Sequence, residues 1–187
     1  VALAKKVLTC KWSDSGFAYD CADRKTWAES ELVKAGKADA TLVSMVEDPN
    51  EQVRWLGAQG LNDKGAVYQK DKALAERVLT AAESEKSKTV ARSLGSAAGR
   101  IKLPEVGLAD RAKALGKSPT MKETRLGFFD SVQYSNSEAF YAYTTEMAKT
   151  ETDKDVRKAA MSSFWTGTPS STNAEVWQLW RDTSHDD

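Results

Sequence analysis

Asp48-Pro49-Asn50-Glu51-Gln52-Val53-Arg54-Trp55-Leu56-Gly57-Ala58-Gln59-Gly60-Leu61 is the stretch on which the fold turns. Asp48 has the side chain of an N-cap, which accepts a hydrogen bond from the orphan amides of a first helical turn. Pro49 suits the first helical position, where no amide is needed, and Glu51 stands where a capping box places its acid. Val53, Leu56, Gly57, Gly60 and Leu61 then fall at helical spacing, so the buried side is built partly from small residues. Working outward, Ser84, Ser118 and Thr152 also have cap character, and the steps from 48 to 84, 84 to 118 and 118 to 152 are 36, 34 and 34 residues. A period of that size belongs to stacked helical hairpins.

Each cap divides a pair of helices, which predicts four units at about 38–62, 71–101, 106–133 and 137–165. In the first, Leu42, Val43, Met45 and Val46 form the apolar face ahead of Asp48. In the second, Leu74, Val78, Leu79 and Ala82 precede Ser84, and Val90, Leu94, Ala97, Ala98 and Ile101 follow it. The third repeats the cap-proline arrangement at Ser118-Pro119 and continues through Leu126, Phe129 and Val132. The fourth has Phe140, Tyr141, Tyr143 and Met147, then Val156, Ala159, Ala160 and Phe164. A lead helix is expected at 26–36, opened by the box Thr26-x-x-Glu29 and ended by Gly36. A terminal helix is expected at 173–182, after the box Thr172-x-x-Glu175, followed by a polar tail at 183–187.

One hairpin cannot bury both faces of its helices, so neighbouring pairs must share a core. Gly57, Gly95, Gly127 and Ala160 sit on the second helices, where they allow close approach. Glycine costs about 1 kcal/mol relative to alanine in a helix interior, so its recurrence at near-equivalent places reads as a packing demand.

Asp48-Pro49-x-x-x-Val53-Arg54-x-x-Gly57-x-x-x-Leu61 resembles the second helix of a HEAT repeat, and Asp155-Val156-Arg157-x-x-Ala160 resembles it again. Ala91-Arg92-Ser93-Leu94-Gly95 needs a turn about two residues longer, and Thr124-Arg125-Leu126-Gly127 lacks the valine and slips by one. The resemblance runs from Ala38 to about Trp165. It implies an all-α, right-handed, armadillo-like α-solenoid of about four HEAT-like hairpins. It also implies a ladder between repeats, made by the turn aspartate and the helix arginine, which gives Asp48, Pro49, Arg54 and Arg157 structural roles. An arginine row reading an acidic ligand is the alternative. Second helices in this family line the concave side, which makes Trp55, Arg92 and Arg125 the expected ligand-facing strip. Trp177 and Trp180 on the terminal helix either cap the last unit or offer a patch to a partner, since tryptophan, tyrosine and arginine dominate binding hot spots.

Residues 1–25 read differently. Val7 to Trp12 and Phe17 to Cys21 are β-prone runs around Ser13-Asp14-Ser15-Gly16. Folded as a hairpin, they bring Cys10 and Cys21 together. A disulfide there would staple an appendage too small to hold itself and would imply an oxidising compartment; two unpaired buried thiols are the other reading. A zinc site is disfavoured, because two cysteines are half a ligand set and the only histidine is His185 in the tail. Export to the periplasm or outside the cell is therefore expected, with a cytoplasmic protein as the alternative. The first residue being Val1 suggests removal of something upstream.

The 187 residues carry 27 Lys plus Arg against 27 Asp plus Glu, so the net charge is zero and no basic excess favours nucleic acid as the main partner. No apolar run approaches the roughly 20 residues of a membrane span. A nucleophilic triad needs a held general base, and His185 stands next to the end of the chain. Gly116-Lys117-Ser118 imitates the end of a phosphate-binding loop, but Arg111 stands where its first glycine belongs. No catalytic residue, cofactor or metal site is therefore expected. The function read from the chain is non-catalytic protein or peptide binding, as a scaffold. A nucleic-acid-binding HEAT-like protein, or a HEAT-like lyase or other enzyme, are the alternatives. Oligomeric state is not legible.

Overall fold

The computed structural model describes residues 38–63, 67–117, 120–135, 138–163, 178, 179 and 181. The expected hairpin at 1–25 with Cys10 and Cys21, the lead helix at 26–36, Trp177, Trp180 and the tail at 183–187 lie outside them. Among the described residues the secondary structure is entirely helical. We number the helices α1 (Ala38–Met45), α2 (Glu51–Asp63), α3 (Lys72–Ser84), α4 (Lys88–Gly99), α5 (Ala109–Leu115), α6 (Lys122–Ser131), α7 (Glu138–Thr150) and α8 (Lys154–Ser162). Single 3-10 turns at Val67–Gln69 and Val132–Ser135 follow α2 and α6.

Short turns make α1/α2, α3/α4, α5/α6 and α7/α8 packed pairs, and the second helices contact one another in sequence, α2 on α4, α4 on α6 and α6 on α8. On the other side α1 packs on α3 and α3 on α5. One continuous core runs through all four pairs, from Leu42 and Val43 through Leu56, Leu79, Leu94 and Phe128 to Val156 and Ala160.

The closest approach is between α4 and α6, and it is set by glycine. A Cβ on Gly95 would overlap the backbone of Thr124, and one on Gly127 would overlap the Arg92 carbonyl and crowd the Ser96 amide. Gly99 meets Phe128 and Val132 in the same way. These helices therefore touch backbone to backbone, and the Ser96 hydroxyl donates to the Gly127 carbonyl at 3.1 Å across the contact. Gly57 plays a related part within the first pair, where a Cβ would crowd Met45 and the Leu42 carbonyl. The packing demand read from the recurring glycines is what the backbone contacts display.

The caps recur, but on other residues than expected. Asp48 does not cap α2; Asn50 does, its side-chain oxygen accepting from the amides of Gln52 at 2.9 Å and Val53 at 3.3 Å. Asp48 instead accepts from the Asn50 amide at 2.8 Å, closing the turn one step earlier. Ser84 is the last residue of α3, its hydroxyl donating to the Thr80 carbonyl, and Ser87 caps α4. Met121 occupies the cap position of α6 without a side-chain bond, and Ser118 is outside the described residues. Thr152 gives way to Asp153, which accepts from the Asp155 and Val156 amides. The observed caps at 50, 87, 121 and 153 are spaced by 37, 34 and 32 residues. At the first, second and fourth turns the shift has one physical source: each holds more than one residue with a capping side chain, and an acid of the turn that accepts the amide of Asn50, Ser87 or Asp153 sets which one lies at the helix start.

Two further features fasten the pairs. Tyr68, fully buried in the turn after α2, places its hydroxyl 3.3 Å from the Leu61 carbonyl and 3.1 Å from that of Ala97, so it spans the first and second pairs. The segment between α4 and α5 is anchored by buried Leu103, Val106 and Leu108. It turns at Gly107, whose φ of 71° is open to glycine at no steric cost.

Candidate functional site

The polar chemistry of the described residues is concentrated where one pair meets the next. Along the second helices, the donor lies on one pair and the carboxylate on the pair that follows. Arg54 forks onto Glu85 at 2.7 and 3.0 Å. Arg92 reaches Asp130 at 2.7 Å, and Lys88 lies 3.8 Å from Glu123. Lys122 takes both Asp153 at 3.0 Å and Asp155 at 2.6 Å, and Arg125 takes Glu151 at 2.6 Å. Across the first helices two arginines run the other way, Arg77 back to Glu47 and Arg111 back to Glu83.

Two of the second-helix contacts share one geometry. Glu85 and Glu151 each stand two residues before an N-cap, at Ser87 and Asp153, and each accepts that cap residue's amide, at 2.8 and 2.9 Å. The arginine that each receives, Arg54 or Arg125, stands four residues after the N-cap of the preceding pair, Asn50 or Met121. The carboxylate is thus held by its own turn before the guanidinium arrives, which removes much of the cost of ordering it. Asp48 has the same relation to Asn50. In the second pair the place four after Ser87 is Ala91, and the place two before Met121 is Pro119, so neither partner exists and Arg92 pairs with Asp130 instead.

The surroundings set the charge states. Burial acts to raise the pKa of Glu85, but hydrogen bonds from Arg54 and from the Ser87 and Lys86 amides outweigh it and hold the carboxyl below its ordinary value. The Arg77 hydrogen bond holds Glu47 below the usual range, and Lys122 does the same for Asp153. Burial raises the Tyr143 phenol, and its hydroxyl donates to the Lys113 carbonyl at 2.7 Å.

The expected ligand-facing strip does not form as one surface. Trp55 is 6% exposed and belongs to the core, because α2 is covered by α1 on one side and α4 on another. Arg125 is buried at 8% exposure and committed to Glu151. Arg92 alone of the three is exposed, in its pair with Asp130. Phe140 and Tyr143 are likewise core, packed with Phe128 and Phe129 at centroid separations of 5.4 to 6.2 Å. The ladder takes a modified form: Arg54 meets Asp48 only through its backbone carbonyl, at 3.1 Å, along with that of Pro49 at 3.0 Å, while its carboxylate partner is Glu85. Arg157 is half-buried and has no ion-pair or side-chain hydrogen-bond partner among the described residues. The rung acids Glu85 and Glu151 and the bridging Tyr68 escaped sequence reasoning. An acidic residue, any residue, then Asn, Ser or Asp, was the signal that could have found the rungs.

Among the described residues no group of three or more His, Cys, Asp or Glu side chains is placed to share a metal ion. No helix there is long and apolar enough to cross a membrane. Comparison with protein-family models, with curated proteins and with solved structures finds no match in any of the three.

Proposed function

We propose that the chain is a non-catalytic, protein-binding scaffold, built as a HEAT-like right-handed α-solenoid and carried outside the reducing cytosol with Cys10 and Cys21 bridged. The observation that carries the reading is the serial packing of α2, α4, α6 and α8 with a donor-to-carboxylate contact at every junction. Such an arrangement adds surface with each pair and spends its charged groups on stacking, which suits a protein whose work is to present a face to a partner. The exposed Arg92–Asp130 pair on α4 and α6 is the part of the expected strip that remains available to one.

The test is affinity capture from the native organism with the wild-type chain and with Arg92→Glu, followed by titration of the captured protein in purified form. A specific protein retained by the wild type and weakened at least tenfold by the substitution supports the role. Steeply salt-dependent binding of duplex DNA with no protein partner contradicts it. Mass spectrometry without reductant tests the compartment: a Cys10 to Cys21 bridge supports export, and two free thiols in protein taken from its native compartment count against it.

A further inference from the structure

Lys88, Arg92, Ser96 and Arg100 recur at four-residue steps, so they share one stripe of α4 and its C-terminal cap. Four contacts join this stripe to α6 and the turn that follows it. Lys88 lies 3.8 Å from Glu123, Arg92 reaches Asp130 at 2.7 Å, and the Ser96 hydroxyl donates to the Gly127 carbonyl. At the last step the guanidinium carbon of Arg100 lies 4.6 Å from the centre of the Tyr134 ring. Two of the three cations thus meet a carboxylate, and the third meets an aromatic face.

Nothing else in the described residues answers the Arg100 charge. Its Nε is shut off from solvent with no hydrogen-bond partner, and no carboxylate or carbonyl is found on the rest of the guanidinium among the described residues. Lys102 adds a second cation: its Nζ donates to the Tyr134 carbonyl at 2.6 Å, which fixes the backbone under the ring. Glu105, three residues on, is taken by Lys70 at 3.7 Å. Tyr134 is also the one large apolar side chain left exposed among the described residues, at 47%. An aromatic ring occupies the face of a guanidinium and leaves its in-plane donors to a planar anion. Arginine and tyrosine side by side are, in addition, the residues that anchor protein interfaces.

We propose that Arg100, stacked on Tyr134 with Lys102 beside it, is a receptor for a carboxylate in an acidic segment of a protein partner. The terminal nitrogens of Arg100 take the carboxylate, as Arg92 takes Asp130 two turns earlier on the same stripe, and Tyr134 supplies the apolar contact. The site deepens the reading of the chain as a protein-binding scaffold and rests on it for the kind of partner.

The experiment is an NMR titration of the full chain with hexaglutamate, reading the arginine Nε–H resonances and the dissociation constant. The Arg100 resonance should shift and saturate, with affinity weakened about tenfold by R100Q and about threefold by Y134A. Unchanged affinity in R100Q, or an equal shift at Arg92, overturns the proposal. Tighter binding of octathymidylate at the same residues and ionic strength also overturns it, by making a nucleic acid the occupant. Because Arg100 holds no hydrogen bond in the fold, R100Q should leave the urea midpoint where it is; a marked drop would assign the guanidinium to structure instead. The partner obtained by affinity capture separates this site from the wider reading. A captured protein that binds R100Q as tightly as wild type overturns the site and leaves the scaffold standing, whereas saturable hexaglutamate binding at Arg100 with no protein captured supports the site and removes the scaffold.

Discussion

Arg125 donates to Glu151 at 2.6 Å in a junction that leaves 10% and 8% of their side chains exposed, so the third and fourth pairs meet through a buried ion pair. Removing one partner of such a pair strands the other charge, at a cost of about 3–5 kcal/mol. The Arg125 Nε already lacks a hydrogen-bond partner, which leaves little local means of compensation. Glu151→Ala is therefore expected to lower the urea-unfolding stability by that amount. Replacing both with apolar residues of similar volume should cost much less. The exposed Arg92–Asp130 pair is the control, and Asp130→Ala should cost no more than about 1 kcal/mol.

The turn carboxylates also make stability depend on pH. Glu85, Glu47 and Asp153 have folded pKa values below their unfolded ones. The unfolded chain therefore takes up more protons as the solution is acidified. Their contribution is complete above the unfolded carboxylate pKa of about 4 and is lost as pH falls through the lower folded values. The urea midpoint should be steady from about pH 7 to 5 and should drop steadily from about pH 4 to 2. Glu85→Gln should make that drop shallower, and the same slope in wild type and variant would contradict the role given to Glu85.

The observed caps can be separated from the expected ones by paired substitutions. Asp153→Ala and Ser87→Ala should each cost about 1 kcal/mol, while Thr152→Ala and Ser84→Ala should stay within about 0.5 kcal/mol. Thermal unfolding of the four variants side by side checks this. Ser87 carries an added load, because its hydroxyl also donates to Glu51 on the preceding pair.

These contrasts mark where the chain could be read directly. The apolar periodicities of residues 72–84 and 88–99 and the glycines at 95 and 127 each leave a local signature, because helical spacing and missing side chains are properties of the sequence itself. Which face of α2 meets solvent is not such a property. Val53, Trp55, Leu56, Gly57, Ala58, Gly60 and Leu61 are all buried, so the helix is enclosed over most of its circumference and Trp55 is covered by neighbours distant in sequence. Arg125 misleads for a related reason: an arginine reads as a surface residue until the partner 26 positions away is placed against it. Glu85 and Glu151 look like ordinary loop acids until the turn that holds them and the arginine that reaches them are both in place.

The most direct test of the stacked arrangement is the sign of one stability change, that of Gly127→Ala. In an exposed helix interior this substitution stabilises by about 1 kcal/mol, because alanine is the better helix former. At Gly127 the new methyl group would overlap the Arg92 carbonyl and crowd the Ser96 amide, so α4 and α6 would have to separate and the Ser96 bond to the Gly127 carbonyl would stretch. Overpacking of this kind costs about 1–3 kcal/mol or more. Urea unfolding of Gly127→Ala beside the wild type should therefore give a clear loss of stability; a variant as stable as the wild type, or more so, would contradict the backbone-to-backbone contact that joins the second pair to the third.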